Sequence, residues 1–252
     1  MSRKKTGLVL SGGGARGIAH LGVIRAMEDR NIPIDMISGT SAGSIVGALY
    51  ATGHSTDDIL TMVKSVSTYQ LLSPAYSLKG VLKIDVLQKF LKKYIARNSF
   101  ESLHIPLVVA ATNINSGKTD FFSEGELFTA ICASSCIPVL FNPVEWQGAT
   151  YIDGGILNNL PVEPLREQCD VVIGSHTNPI SEDFTPKNAR QVMERTLMMA
   201  IVCNVEVRRI ACDYFIEPEG LGTYNVLDLR SADEIYEKGY VAASKYFDEH
   251  WN

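Results

Sequence analysis

Along the first 60 residues, short apolar runs alternate with patterns typical of amphipathic helices. Residues 6–11 predict a buried strand, and a glycine-rich turn follows it. Residues 18–30 carry apolar side chains at helical spacing, residues 36–38 predict a second strand, and residues 42–52 predict a helix of small side chains. Strands and helices in this order predict a parallel sheet that is covered on both faces.

The rest of the chain continues this mixture of strands and helices. The further predicted strands are residues 107–112, 119–123, 150–152, 171–175 and 214–217. The further predicted helices are residues 84–96, 126–134, 188–209 and 233–247. No repeat or linker interrupts the 252 residues, so we expect one α/β domain. The irregular segment between Ser65 and Gly80 is a candidate cap or lid.

Composition narrows the class of protein. The apolar fraction of 46% and the charged fraction of 20% are typical of a globular protein with a sizeable core. No stretch approaches the roughly 20 apolar residues of a membrane span. The five cysteines include no Cys-x-x-Cys pair and no histidine clusters with them, which favours reduced thiols in a cytoplasmic protein and argues against a metal site. The net charge of −5 argues against a nucleic-acid partner.

One stretch departs from this negative charge. Between Lys79 and Arg97 lie six cations and a single acid, a local net charge of +5. The helix predicted there places apolar side chains on one face and lysines on the other. Two interpretations stay open: an ordinary solvated surface helix, or peripheral contact with an anionic membrane surface.

Three motifs follow predicted strands at strand-to-helix corners, where an open parallel sheet places its active site. The first consists of Gly12, Gly13, Gly14, Ala15, Arg16 and Gly17. Glycines let the backbone approach a ligand and present its amides, and the helix that follows favours an anion. The same spacing formally matches a dinucleotide-binding loop, which requires an acid at the end of the second strand. Asp35 lies near the required distance but precedes that strand, so we disfavour this alternative.

The second motif is the run Gly39-Thr40-Ser41-Ala42-Gly43 between a strand and a helix. Glycines at both ends allow a sharp turn that exposes the central hydroxyl as a nucleophile, although a serine here could also simply cap the helix.

The third motif, Asp153 followed by Gly154 and Gly155, comes after the strand predicted at 150–152. Its carboxylate could take the proton of a serine hydroxyl, or the motif could be an ordinary turn. A serine triad would need a histidine, and only His176 follows a strand in a suitable place. A Ser41–Asp153 dyad needs none.

These motifs and their order resemble the patatin-like phospholipases of bacterial type. The resemblance covers residues 6–166, and residues 167–252 are compatible with a continuation of the same domain. It implies a three-layer α/β/α sandwich with a mostly parallel central sheet. It also implies hydrolysis of fatty-acyl esters of phospholipids or lysophospholipids, without a metal or cofactor. The alternative is a non-catalytic regulator or adaptor with the same fold.

The resemblance also implies roles for individual residues. Ser41 would be the nucleophile and Asp153 the base, while the role of Arg16 stays open. The oxyanion hole would consist of backbone amides of Gly12, Gly13, Gly14 and Ala15.

Overall fold

The central feature of the computed structural model is one mixed sheet of eight strands among the described residues, which are 3–66, 85–138, 140–180, 184–186, 188–226 and 229–251. The strands are β1 (Thr6–Leu10), β2 (Met36–Thr40), β3 (Leu107–Asn113), β4 (Lys118–Phe122), β5 (Val144–Trp146), β6 (Ala149–Ile152), β7 (Val171–Ser175) and β8 (Tyr214–Ile216). Parallel pairing joins β3, β2, β1, β7 and β8 in that order, and antiparallel pairing adds β4, β6 and β5 beyond β3. The strands β7 and β8, which lie after residue 166, extend the same sheet.

Helices connect most of these strands. They are α1 (Ala19–Asp29), α2 (Ala42–Ala51), α3 (Thr56–Lys64), α4 (Asp85–Tyr94), α5 (Leu127–Ser134), α6 (Glu163–Arg166), α7 (Ala189–Arg209) and α8 (Ala232–His250). The elements expected from the sequence agree with these within a few residues. The sequence patterns did not predict α3, α6 or β5, although Ser55 caps α3 and two acids occupy its first turn, which is a typical helix start.

Side chains of the central strands alternate between two separate cores because successive residues of a strand point to opposite faces. In β1, Leu8 and Leu10 belong to the first core and Val9 belongs to the second. The first core also contains side chains from α1 to α5 and α8. The second core contains Leu165 of α6 and Val205 of α7. Helices therefore cover both faces of the sheet, which confirms the expected three-layer α/β/α arrangement.

The strands β2 and β6 run toward each other on one side of β3. β4 pairs with residues 109–113 of β3 on the opposite side. On the shared side, Ala110 pairs with Thr40 of the parallel strand β2, and Thr112 pairs with Ile152 of the antiparallel strand β6. The residues that follow Thr40 and Ile152 therefore meet beside β3.

This topology corrects one expectation. The third motif does not lie at the carboxyl end of a parallel strand, and a short 3-10 turn (Gly154–Ile156), not an α-helix, follows it. Its aspartate reaches the second motif because β6 is antiparallel to β3 and ends opposite β2.

Some sequence features lie partly or wholly outside the described residues. These include residues 67–80 of the candidate lid, and Lys79 and Lys83 of the basic stretch. In the described part of that stretch, Lys89, Lys92 and Lys93 are exposed, while Leu91 is buried. None of the helices in the described part of the chain is both long enough and apolar enough to span a membrane.

The cysteines are free, but not all of them are core residues. Cys132, Cys136 and Cys169 are buried, Cys212 is half-buried, and Cys203 is exposed on α7.

Candidate active site

Ser41 lies in a strained turn between β2 and α2. Its φ of 51° falls in the left-handed region that side chains other than glycine rarely adopt. Ser41 occupies the N-cap position of α2, yet its hydroxyl caps no amide of that helix. The capping interpretation is therefore wrong. Strain at one serine whose hydroxyl takes no part in capping is typical of a nucleophile elbow.

Ser134 and Gly43 hold this turn in place. The Ser134 hydroxyl accepts the Ser41 amide at 2.8 Å and donates to the Ala110 carbonyl of β3 at 2.6 Å. A Cβ added to Gly43 would lie 2.2 Å from the Leu10 carbonyl oxygen. The glycine thus lets α2 start directly against the end of β1.

Asp153 faces this turn from the end of β6. Its Oδ1 accepts the amide of Gly155 at 2.8 Å, and the residue is only 7% exposed. Burial raises the pKa of Asp153 to about 6, and the neighbouring Ser41 hydroxyl and the Gly155 amide oppose this rise. The carboxylate is therefore close to the Ser41 hydroxyl and is a stronger base than an exposed aspartate.

The glycine loop after β1 lies beside Ser41, and two of its amides are already engaged. The Gly12 amide donates to Asn159 Oδ1 at 3.0 Å, and the Ala15 amide donates to the Val226 carbonyl at 2.7 Å. Among the described residues, no acceptor is found for the amides of the two residues between them, Gly13 and Gly14.

Fewer backbone amides are thus available to an oxyanion than the sequence predicted. Of the four amides expected to form the oxyanion hole, those of Gly12 and Ala15 serve the fold in this structure. Gly14 has a φ of +57°, and a Cβ there would lie 2.2 Å from the Val226 carbonyl oxygen. Only glycine fits that position.

Asn159 and Asn204 connect the glycine loop to the Asp153 segment. Asn159 accepts the Gly12 amide through its side chain, and its own amide donates to Asn204 Oδ1 at 2.9 Å. Asn204 Nδ2 donates to the Gly155 carbonyl at 2.9 Å. Neither Asn159 nor Asn204 was singled out from the sequence, because residues 45 apart in sequence give no signal of contact.

His20 is a structural residue beneath the glycine loop. Its Nε2 donates to the Ser11 carbonyl at 2.8 Å, and its Nδ1 accepts from the Ser175 hydroxyl at 2.8 Å. Complete burial lowers the pKa of His20 to about 4, so the ring is neutral near pH 7. A ring with both nitrogens engaged supports the carboxyl ends of β1 and β7.

His176 is also paired within the fold. It is buried, its Nδ1 contacts the Glu217 carboxylate at 2.5 Å, and its ring stacks on Phe215.

Arg16 links the loop to the C-terminal part of the chain. Its guanidinium donates to the Tyr224 carbonyl at 2.9 Å, to Asn178 Oδ1 at 2.9 Å and to the Gly222 carbonyl at 3.1 Å. The sequence left the role of Arg16 open. These contacts attach the C-terminal end of the glycine loop to the later part of the chain.

The geometry gives no support to dinucleotide binding. Asp35 precedes β2 and lies at the amino end of that strand, whereas the glycine loop lies at the carboxyl end of β1, which is parallel to β2. Its carboxylate accepts from the Thr6 amide at 2.8 Å and pairs with Arg3. The acid that would bind a ribose therefore lies at the opposite end of the parallel strands from the glycine loop.

Comparison with known proteins gives one family. Residues 8–166 match the family model described as patatin-like phospholipase. A lysophospholipase NTE1 of Lodderomyces elongisporus is 30% identical over 99% of this chain, but the chain spans only 20% of that protein's length. An uncharacterized NTE family protein of Mycobacterium bovis is 36% identical over 65% of this chain and 46% of its own length.

Among solved structures, VipD from Legionella pneumophila has a similar fold. The TM-score is 0.57 at 18% identity, covering 99% of this chain and 68% of VipD.

Proposed function

The chain belongs to the patatin-like phospholipase family, and on this premise we propose that it is a serine acyl hydrolase that cleaves fatty-acyl esters of lipids. Ser41 acts as the nucleophile and Asp153 as the base. One observation carries the proposal: β2 and β6 end opposite each other beside β3, which sets a buried carboxylate, with its pKa raised to about 6, beside a serine in a strained turn.

In the acylation step, the Asp153 carboxylate takes the proton of the Ser41 hydroxyl while Oγ attacks the ester carbonyl carbon. The carbonyl oxygen becomes an oxyanion, which the amides of Gly13 and Gly14 stabilise. Amides positioned in advance favour this charge because they need no reorganisation as it develops. The C–O bond then breaks, and the leaving alcohol or lysolipid takes the proton back from Asp153.

In the deacylation step, Asp153 takes a proton from a water molecule that attacks the acyl carbon on Ser41. A second oxyanion forms in the same place. Its collapse releases the fatty acid and returns the proton to Ser41 Oγ. One carboxylate thus serves as base and acid in turn, so the dyad needs no histidine.

The backbone amides of the glycine loop have different roles in this mechanism. Losing one oxyanion-hole donor typically costs about 10²–10³ in rate. Gly12 acts differently, since its amide holds Asn159 and so sets the direction of the next two amides. Ala15 and Arg16 anchor the far end of the loop to the segment 222–226.

The substrate class is proposed from chemistry and from the relatives. The name lysophospholipase of the Lodderomyces protein supports a lysophospholipid as the first candidate, with diacyl phospholipids second. We also propose a cytoplasmic enzyme, because five free cysteines are typical of a reducing compartment.

The exposed lysines of α4 support a peripheral contact with anionic lipid. The face with Lys89, Lys92 and Lys93 is charged, and the opposite face is packed into the first core through Leu91. Changing the three lysines to glutamate should abolish salt-sensitive vesicle binding. Unchanged binding would contradict this contact.

The test of the proposed function compares wild-type protein with Ser41→Ala and Asp153→Asn. Substrates are a p-nitrophenyl acyl ester and a panel of lysophospholipids and phospholipids, with released fatty acid measured by mass spectrometry. The activity of both variants should be lower than that of the wild type by a factor of at least about 10³. Ser116→Ala, which changes an exposed serine beyond β3, is the matched control and should keep full activity.

Equal activity in wild-type protein and both dyad variants would contradict the dyad. Absence of activity in every protein and on every substrate would favour the non-catalytic regulator.

A further inference from the structure

The end of α5 contacts the backbone of both members of the proposed dyad. Ser134, the last residue of α5, is fully buried, and its hydroxyl accepts the amide of Ser41 at 2.8 Å. Two residues later, the carbonyl of Cys136 accepts the amide of Asp153 at 2.9 Å. The segment 134–136 therefore holds the chain at the nucleophile and at the base.

The Ser134 hydroxyl lies where a strand-to-strand hydrogen bond would otherwise form. In the parallel pair of β2 and β3, the Ile37 amide donates to the Pro106 carbonyl at 2.9 Å. Such bonds recur at every second residue along a parallel pair, so the same series leads to the Ser41 amide and the Ala110 carbonyl. The Ser134 hydroxyl joins these two groups instead, because it accepts from the Ser41 amide and donates to the Ala110 carbonyl at 2.6 Å.

This inserted hydroxyl explains how the chain leaves the sheet at Ser41. A hydroxyl between the two groups separates the end of β2 from β3 by more than a direct hydrogen bond would, while both buried polar groups keep a partner. The backbone after Thr40 can then turn into the left-handed conformation, with a φ of 51° at Ser41. The amide and the hydroxyl of Ser44 hold the Ser41 carbonyl in its new direction, at 2.9 Å and 2.7 Å.

The Ala110 carbonyl is also the group on which the segment of the base packs. A Cβ added to Gly154 would lie 2.2 Å from the Ala110 carbonyl oxygen, so the backbone next to Asp153 lies directly against it. The Thr112 hydroxyl of β3 donates to the Gly154 carbonyl at 3.4 Å. One carbonyl therefore positions both side chains, the nucleophile through Ser134 and the base through direct contact.

We propose that Ser134 is a positioning residue of the hydrolase: its hydroxyl, inserted between β2 and β3, keeps Ser41 in the strained turn and close to Asp153. The inference rests on the proposed function, since only a reaction between these two side chains gives their separation a consequence. Without the hydroxyl, the Ser41 amide can bond directly to the Ala110 carbonyl. The turn would then relax toward an extended strand and move the nucleophile away from the base.

Steady-state kinetics of Ser134→Ala on a soluble p-nitrophenyl ester tests this role. The value of kcat should fall by about 10–10² while KM changes less than about threefold, because a displaced nucleophile affects the reaction more than substrate binding. Ser134→Cys provides a second variant. Its thiol is of similar size but forms weaker hydrogen bonds, so its kcat should lie between those of Ser134→Ala and wild-type protein.

Ser135→Ala is the matched control. Ser135 is the next residue along the chain and is also buried, but its hydroxyl bonds to none of the described residues. Removing this hydroxyl changes the same segment without breaking a contact to the dyad, so kcat should stay at the wild-type value.

The pH profile separates positioning from a loss of folded protein. The Ser41 hydroxyl opposes the rise in the pKa of Asp153, so a displaced Ser41 should move the midpoint of kcat/KM above about 6 in Ser134→Ala. The Cys136 thiol also interacts with Asp153, but burial raises the pKa of this thiol, so it stays neutral over this range. A protein that is only less folded would show a lower rate with the same midpoint.

A stability comparison tests the same contact without any substrate. With Ser134 present, Ser41→Gly should be more stable than Ser41→Ala, because glycine tolerates the left-handed turn. In the Ser134→Ala background the turn can relax, so this advantage of glycine should disappear. The measurement is the free energy of unfolding of the four proteins in denaturant.

The outcomes separate this inference from the proposed function. Loss of the glycine advantage in the Ser134→Ala background, in a protein without esterase activity, would support the positioning of Ser41 and contradict the enzyme. Esterase activity with the wild-type pH midpoint in both Ser134 variants would overturn the inference alone, whether or not kcat falls. An equal fall of kcat in Ser134→Ala and Ser135→Ala would also overturn it, since any change in this segment would then have the same effect.

Discussion

The side-chain oxygen of Asn159 accepts the backbone amide of Gly12 at 3.0 Å, and this contact joins the glycine loop to the segment that follows Asp153. A Cβ on Gly12 would lie 2.5 Å from that oxygen and 3.2 Å from Ser41 Cβ. The three motifs therefore meet at one point. Asn159 makes no proposed contact with substrate, so it is a positioning residue.

Replacing Asn159 tests this role. Asn159→Ala should lower kcat by about 10–10² while KM changes little, because the oxyanion amides would lose their fixed direction. Asn159→Asp retains an oxygen that can accept the Gly12 amide and should recover much of the lost kcat. Steady-state kinetics on a soluble ester measures both parameters. A parallel fall in thermal stability with no change in kcat per folded molecule would instead indicate a purely structural role.

The activity should depend on the ionisation of Asp153. Because only the carboxylate form can accept the Ser41 proton, and its pKa is raised to about 6, kcat/KM should rise with pH and level off above that value. Below the midpoint the rate should fall about tenfold per pH unit. A pH profile on a neutral ester measures this. A midpoint near the ordinary aspartate value would show that burial does not tune the base.

The same pKa predicts that Asp153 destabilises the fold at neutral pH. Its folded-state pKa lies above the ordinary value of 3.8, so the fold favours the protonated side chain. The stability of the fold is therefore highest below about pH 4, and part of it is lost as pH rises through about 6. The difference corresponds to about 3 kcal/mol. Asp153→Asn should therefore be inactive and more stable than wild type at pH 7, by up to about that amount.

Denaturant unfolding at two pH values checks this prediction. The advantage of Asp153→Asn should nearly vanish at pH 4, where both side chains are neutral. Equal stability at pH 7 would mean that the ionised carboxylate is well solvated in the folded protein.

Strain at Ser41 should be visible in stability. Relief of a left-handed conformation is worth about 1–3 kcal/mol, whereas the extra freedom of glycine in the unfolded chain costs about 0.4–1 kcal/mol. Ser41→Gly should therefore be about 1 kcal/mol more stable than Ser41→Ala. Unfolding free energies of the two inactive variants give the answer.

Ser44 provides the matched comparison for this pair, since it lies within α2. There the order should reverse, with Ser44→Gly less stable than Ser44→Ala by about 1 kcal/mol, the usual helix cost of glycine. The same order at both positions would contradict strain at Ser41.

Local sequence patterns were sufficient for most of the fold. Buried strands such as β1 and β7 and long helices such as α7 are encoded by periodicity, which acts over neighbouring residues. The family resemblance, taken from three motifs, is confirmed by the match over residues 8–166. Elements with weaker local signals were missed, including the four-residue α6 and the three-residue β5.

The sequence by itself determined that Ser41 lies at a strand-to-helix turn and that glycines surround it, because short-range backbone sterics require those residue types. Only the tertiary structure decided that β6 is antiparallel and ends opposite β2, which brings Asp153 beside Ser41. It also decided that the amides of Gly12 and Ala15 are taken by Asn159 and the Val226 carbonyl. Such contacts join residues more than a hundred positions apart, and chain packing, not local pattern, determines them.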